Sequence, residues 1–116
     1  MPRKFIHSFK YARAGAEHAL RTQRNIWIHI FIGLIVIGAA FWFRIELTQI
    51  ALLVLTIILV LTTEMLNTAI EEVVNLAEPE HHPLAALAKN VAAGAVLMSA
   101  IGAVIIGLII FLPRII

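Results

Sequence analysis

Three long apolar runs dominate this chain and limit what it can fold into. They cover residues 26–43, 47–63 and 84–112. A helix of about 20 apolar residues, rising about 1.5 Å per residue, crosses the hydrocarbon core of a bilayer. Because 61% of the 116 residues are hydrophobic and 14% are charged, lipid is the expected solvent. We therefore expect an all-α integral membrane protein with one domain, residues 1–116.

The segments between and before these runs predict the remaining helix boundaries. Over residues 4–23, apolar residues recur at three- and four-residue intervals among basic ones, which is typical of an amphipathic helix lying in the membrane interface. The second span should continue as a helix to residue 77, since no helix breaker follows it. Pro79 and Pro83 mark a loop before the third span, and Pro113 should end that span.

The distribution of basic residues predicts the orientation in the membrane. Six lysines and arginines precede the first span: Arg3, Lys4, Lys10, Arg13, Arg21 and Arg24. By the positive-inside rule, the N-terminus and the region 64–90 should be cytoplasmic. Trp27 and Trp42 stand near the two ends of the first span, as interfacial anchors do. Anionic lipid headgroups account for basic residues beside a span, so no nucleic-acid partner is expected.

A polar stripe begins where the second apolar run stops. Its five members fall within roughly 100° of one another around a helix, and they are Glu64, Asn67, Thr68, Glu71 and Asn75. Carboxylates at a membrane edge are costly and tend to face a bundle interior. A solvated helix end is the plainer interpretation, and it suits Glu72 and Glu78 better than the stripe.

The residue types in this region suit phosphoryl transfer. Glu64 lies nearest the span, at the depth of a lipid headgroup hydroxyl, and is a candidate general base for it. Glu71, two turns further along, suits Mg²⁺ that carries nucleotide phosphates. Lys89, across the loop, can neutralise phosphate charge. The sequence has no Walker-type or kinase-type glycine loop, so such a kinase would be an unusual one.

The stripe also carries a resemblance to a known family. It lies in the stretch Glu64-Met65-Leu66-Asn67-Thr68-Ala69-Ile70-Glu71. This stretch resembles the small prokaryotic diacylglycerol kinase/undecaprenol kinase family. The similarity extends to residues 80–85, residues 88–96 and the run 22–25 followed by His29. Pro83 after His82 looks more like the undecaprenol kinase branch.

The resemblance implies a bacterial cell-membrane enzyme with three spans and a surface helix, forming a homotrimer with active sites shared between subunits. It implies ATP as phosphoryl donor, with Mg²⁺. It assigns the catalytic base to Glu64, a signature amide to Asn67, a metal ligand to Glu71 and phosphate binding to Lys89. Tyr11, Glu80 and His82 correspond to residues near the nucleotide. Thr68 and His29 are supporting or substrate-side candidates, and His29 is also plausible as a packing residue.

Three positions depart from the family pattern. Gln23 stands where a second metal-binding glutamate is usual, and its carbonyl could ligate Mg²⁺ without the negative charge. Asn75 and Asn90 stand where aspartate is common, and Asn90 adjoins the nucleotide-binding Lys89. One hypothesis is reduced nucleotide affinity or turnover; the favoured one is variation that the enzyme tolerates.

The expected activity is ATP-dependent phosphorylation of a membrane lipid alcohol, with undecaprenol preferred and diacylglycerol as the alternative. A non-catalytic bundle that binds lipid or a partner is a second class. A small transporter with Glu64 as proton carrier is a third, and it is disfavoured because the first and third spans contain almost no polar residues.

Overall fold

The computed structural model describes residues 2–116, with side chains from residue 4 onward. The described chain is all-helical, with the elements α1 Pro2–Thr22, α2 Arg24–Trp42, α3 Leu47–Ala77 and α4 Pro83–Ile115. Three of these, α2, α3 and α4, are long and apolar enough to cross a membrane. The predicted all-α fold with three candidate spans is therefore confirmed, whereas the interfacial position of α1 stays a prediction.

Several helix ends differ by one to three residues from the bounds of the predicted segments. Helix α2 begins at Arg24, before its apolar run. Helix α4 does not end at Pro113 but continues through it to Ile115. A proline lacks one backbone N–H, and in the last turn of a helix this removes at most one hydrogen bond, which is too little to stop the helix. The predicted end of α3 at residue 77 is correct.

A tight turn joins α2 to α3. The N–H of Ile45 donates to the Ala40 carbonyl at 3.0 Å, and the N–H of Arg44 donates to the Phe41 carbonyl at 3.2 Å. These two bonds form a Schellman motif, whose residue after the C-cap takes a left-handed conformation. Here that residue is Arg44, with φ 54°, rather than the usual glycine. The turn sends α3 back antiparallel to α2.

The most buried apolar cluster lies beside this turn. Ala40, Ile45, Leu53 and Ile110 form it, and the aromatic rings of Phe43 and Phe111 meet edge to face with centroids 6.2 Å apart. The cluster includes residues from α2, α3 and α4, so it fixes all three helices at one end of the bundle. The polar stripe of α3 lies towards the other end.

Helix α3 is the central helix, since it contacts α1, α2 and α4. It approaches α2 closely at Gly33, where an added Cβ would lie 3.1 Å from the Ile57 Cγ2 atom. The glycines of α4 make no such close approach within the described chain. A Cβ at Gly94, Gly102 or Gly107 would meet no atom within 4 Å.

Candidate active site along helix α3

The polar stripe of α3 is anchored by a pair of side chains from two helices. Glu64 is buried, with 4% of its surface exposed, so it faces the bundle interior as expected. Its Oε1 atom lies 3.1 Å from Nε2 of His29 on α2. Among the described residues, only this one of the two carboxylate oxygens has a hydrogen-bond partner. The other oxygen is therefore available to a substrate.

The contact between His29 and Glu64 was not predicted. His29 lies 15 residues before Arg44 and Glu64 lies 20 residues after it. A hairpin register counted from that turn would therefore place His29 short of Glu64, and the sequence pattern gives no signal that the two side chains meet.

Thr68 and Asn67 both hold the stripe in place from within α3. The Thr68 hydroxyl donates to the Glu64 carbonyl at 3.0 Å and is buried, so it supports the helix rather than a ligand. The Asn67 side-chain N–H donates to Glu71 Oε1 at 3.1 Å. The Asn67 Oδ1 atom is buried with no partner in the described chain. Because a buried carbonyl without a partner is costly, this oxygen is a candidate ligand atom.

A second histidine–glutamate pair joins α1 to α3. His18 Nε2 lies 2.6 Å from Glu72 Oε1. The two side chains are 46% and 54% exposed, so the pair lies at the surface of the described chain, and only the contact between them was not predicted. The sequence pattern placed each on a polar helix face but could not show that the faces meet.

The His29–Glu64 pair sets the height of the predicted metal ligands. Gln23 precedes His29 by six residues and Glu71 follows Glu64 by seven, so in antiparallel helices they lie about 9 and about 10.5 Å beyond the His29–Glu64 contact. Gln23 is the N-cap of α2 and its side chain makes no capping hydrogen bond. Its carbonyl oxygen is thus free to act at the same height as the Glu71 carboxylate.

A polar pocket lies at the loop between α3 and α4. Its volume is about 160 Å³, and four of its lining residues were predicted from the sequence: Asn75, Glu80, His82 and Lys89. His82 also caps α4, since its Nδ1 atom accepts a hydrogen bond from the Leu84 N–H at 3.1 Å. In the neutral ring the proton then resides on Nε2, which is left as a donor.

Two predicted nucleotide residues are not brought to this pocket. Tyr11 is 72% exposed on α1 and stacks on His7 with ring centroids 6.5 Å apart. Asn90 is exposed and is not among the lining residues. Within a single chain, the structure therefore assembles part of the predicted nucleotide site.

The donor atoms fit a magnesium ion that is shared with phosphates. The described residues contain no group of three or more His, Cys, Asp or Glu side chains that could hold a metal ion on their own. Glu71, Gln23 and the unpaired Asn67 carbonyl offer oxygen atoms only. Mg²⁺ in nucleotide enzymes is typically held by one or two carboxylates together with phosphate oxygens. The set fits such an ion and suits no soft metal.

An apolar cavity of about 270 Å³ lies between α2, α3 and α4. His29 is at one end of its lining and Phe111 belongs to the opposite end of the bundle. Gly107 is part of the wall, and a Cβ added there would meet no neighbouring atom within 4 Å. The small residues of α4 therefore leave space inside the chain instead of closing it.

Comparison with known proteins gives one consistent result. A model of the prokaryotic diacylglycerol kinase family matches residues 10–111. The chain is 50% identical over 107 residues to a diacylglycerol kinase of Synechocystis, covering 91% of this chain but 61% of that relative. It is 40% identical over 111 residues to an undecaprenol kinase of Bacillus subtilis, covering 96% and 90% of the two chains. A diacylglycerol kinase of Escherichia coli is 38% identical over 62% of this chain and 59% of its own length.

Proposed function

Because this chain belongs to the prokaryotic diacylglycerol kinase family, a family of lipid kinases, we propose that it transfers the γ-phosphoryl group of ATP to the hydroxyl group of a membrane lipid alcohol. The observation that carries the proposal is the placement of Glu64. This buried carboxylate has one oxygen held by His29, and it stands between the apolar cavity and the polar half of α3. A lipid alcohol needs both environments at once.

Glu64 acts in this scheme as the general base. Its second carboxylate oxygen accepts the hydroxyl proton while the alcohol oxygen attacks the γ-phosphorus. The bond from that phosphorus to the bridging oxygen breaks, and its electron pair leaves with ADP. A positioned base contributes about 10²–10⁴-fold to such a rate.

The polar residues beyond Glu64 bind the nucleotide. Lys89, His82 and Glu80 line one pocket, and the lysine charge and the His82 N–H suit phosphate oxygens. Glu71 and Gln23, with the carbonyl of Asn67, would hold Mg²⁺ bound to ATP. Magnesium supplies positive charge that offsets the charge on the transferring phosphoryl group. Tyr11 and Asn90 lie apart from this pocket, and we propose that they complete the site of a neighbouring subunit in a homotrimer.

Undecaprenol is the substrate that we propose. The relative called undecaprenol kinase is matched over 90% of its length, and Pro83 after His82 resembles that branch. Diacylglycerol is the second candidate, favoured by the higher identity, 50%, to the Synechocystis diacylglycerol kinase. We place the enzyme in the bacterial cell membrane with the N-terminus and the active site on the cytoplasmic side, where ATP is available.

Reconstituted full-length protein tests this function. Vesicles containing either undecaprenol or diacylglycerol are incubated with MgATP labelled at the γ-phosphate, and phosphorylated lipid is measured. The wild-type chain should label a lipid alcohol, and Glu64→Gln should lower kcat by about 10²–10⁴-fold. Glutamine keeps the size of the side chain and an oxygen that can accept from His29, so the fold should survive.

Glu46→Gln is the matched control, since Glu46 is exposed at the opposite end of α3 and makes no side-chain capping bond. It should retain full activity. The kinase proposal fails if neither alcohol is phosphorylated, which would favour a non-catalytic bundle. If Glu64→Gln keeps the wild-type rate, the assignment of the base is wrong even though the chain is a kinase.

A further inference from the structure

We propose that His29 is a positioning residue for Glu64: it holds one carboxylate oxygen so that the other faces the lipid hydroxyl. The proposal rests on the proposed function of Glu64 as base. Its starting point is the contact of 3.1 Å between Nε2 of His29 and Oε1 of Glu64. The side chains of His29 and Glu64 are 24% and 5% exposed, so water competes little for this hydrogen bond.

The protonation of the pair follows from the donor inventory. An ionised carboxylate has no proton to give, so the His29 Nε2 atom must carry the hydrogen and donate it to Oε1. This bond fixes the rotation of the carboxylate group about its last torsion. Without this hydrogen bond, the terminal torsion of a glutamate takes a broad range of angles. The free oxygen would then face the substrate for only part of the time.

The backbone of α2 is built to bring His29 this close. Ile26, His29 and Gly33 recur at spacings of three and four residues, and both Ile26 and Gly33 are buried against the neighbouring helices. Gly33, one turn after His29, lets α2 approach α3 to a distance that a side chain would crowd at Ile57. The short reach of the imidazole is sufficient because the helices are close here.

His29 also lines the apolar cavity, and this makes it more than a packing residue. A lipid chain in that cavity would end at the imidazole, with its hydroxyl group beside the Glu64 carboxylate. A histidine that only filled space would be replaceable by any apolar residue of similar volume. A positioning histidine is replaceable only by a donor with the same reach.

Three substitutions at one position separate these roles. Glutamine places its side-chain nitrogen close to the position of the imidazole Nε2 and can donate to Glu64; asparagine carries the same amide on a shorter stem; leucine fills space without a donor. We expect His29→Leu and His29→Asn to lower kcat at least tenfold with little change in KM for MgATP. His29→Gln should recover kcat to within about threefold of wild type, as expected when one hydrogen-bond donor replaces another.

Thr63→Val is the matched control. Thr63 adjoins the base in sequence, and its hydroxyl lies 2.9 Å from the Ser99 hydroxyl of α4. The valine keeps the shape and removes another interhelical hydrogen bond at the same depth. It should leave kcat unchanged. That result would show that the loss of kcat in His29→Leu does not follow from removing any interhelical hydrogen bond at this depth.

A readout without turnover makes the inference independent of kinase activity. A hydrophobic carbodiimide labels carboxyl groups in membranes, and mass spectrometry measures its attachment to Glu64. Release of the carboxylate from His29 should raise labelling at least threefold in His29→Leu, while His29→Gln stays near the wild-type level. Adding His29→Leu to Glu64→Gln should cause no further loss of kcat, since the carboxylate that His29 positions is already gone.

The possible outcomes are distinct. If the wild-type protein phosphorylates lipid and His29→Leu matches it in kcat, the positioning role is wrong and the proposed function stands. If leucine and glutamine lower kcat equally, or labelling of Glu64 is the same in all variants, His29 is a packing residue. If no alcohol is phosphorylated, the proposed function fails, and the labelling alone decides whether His29 holds the carboxylate.

Discussion

Replacing Gly33 by alanine tests the close approach of α2 and α3, on which the His29–Glu64 contact depends. The added Cβ would lie 3.1 Å from Ile57 Cγ2, whereas ordinary contact begins at 3.4 Å. The helices or the Ile57 side chain must therefore move by at least 0.3 Å. Forcing one extra carbon into a tight contact costs about 1–3 kcal/mol.

Gly38→Ala is the matched control on the same helix. A Cβ at Gly38 meets no atom within 4 Å, so this change carries the helix-propensity gain of alanine over glycine without the contact. That gain, about 1 kcal/mol in an exposed helix, is shared by both variants and cancels in their difference. We expect Gly33→Ala to be less stable than Gly38→Ala by about 1–3 kcal/mol.

The two variants can be compared by reversible unfolding in mixed micelles, followed by helical circular dichroism, and by lipid phosphorylation. Gly33 lies one turn from His29, so an outward shift of α2 should also lengthen the 3.1 Å contact to Glu64 and lower kcat. Gly38→Ala should keep kcat. The reasoning is refuted if the two variants agree within about 0.5 kcal/mol, the usual error for independent sites.

Two further variants test other parts of the structure. His18→Leu removes the partly exposed pair with Glu72, which is worth less than about 1 kcal/mol. Amide hydrogen exchange in α1 should therefore rise by up to about fivefold, while exchange in α4 is unchanged. Equal exchange of α1 in the variant and the wild type would contradict a stabilising role for the pair. Asn90→Asp introduces the acid that the family resemblance implies at this position. Since variation that the enzyme tolerates is the favoured hypothesis, kcat/KM for ATP should change by less than about twofold. A tenfold gain would instead show that the asparagine impairs nucleotide binding.

The periodic parts of the sequence predicted most of the architecture. Long apolar runs specify spans because a bilayer demands a minimum length, and two prolines specify the loop before α4. The stripe on α3 predicted that Glu64 faces inward, because an edge carboxylate is costly unless it is covered. These inferences use one helix at a time, and a single helix carries the information that they need.

Contacts between helices were harder to predict. The pairs His29–Glu64 and His18–Glu72 depend on the register of one helix against another, which is set by turn geometry rather than by composition. The glycines of α4 illustrate the same limit: small residues permit close packing, but the close contact occurs at Gly33 of α2. The left-handed Arg44 was equally unforeseen, because glycine is the usual residue at that position of the motif.

The tight turn at Arg44 fixes the depth of Glu64 in a bilayer through the length of α3. From Leu47, the first residue of α3, to Glu64 the helix rises about 26 Å. The hydrocarbon core of a bacterial or endoplasmic membrane is about 27–30 Å thick, so a turn held at one surface places Glu64 close to the opposite one. The loop is too short to absorb a mismatch. A thicker bilayer would draw Glu64 below the headgroups, and a thinner one would tilt the hairpin. If Glu64 is the base that we propose, the acyl-chain length of the surrounding lipid should set the depth at which the substrate hydroxyl meets it.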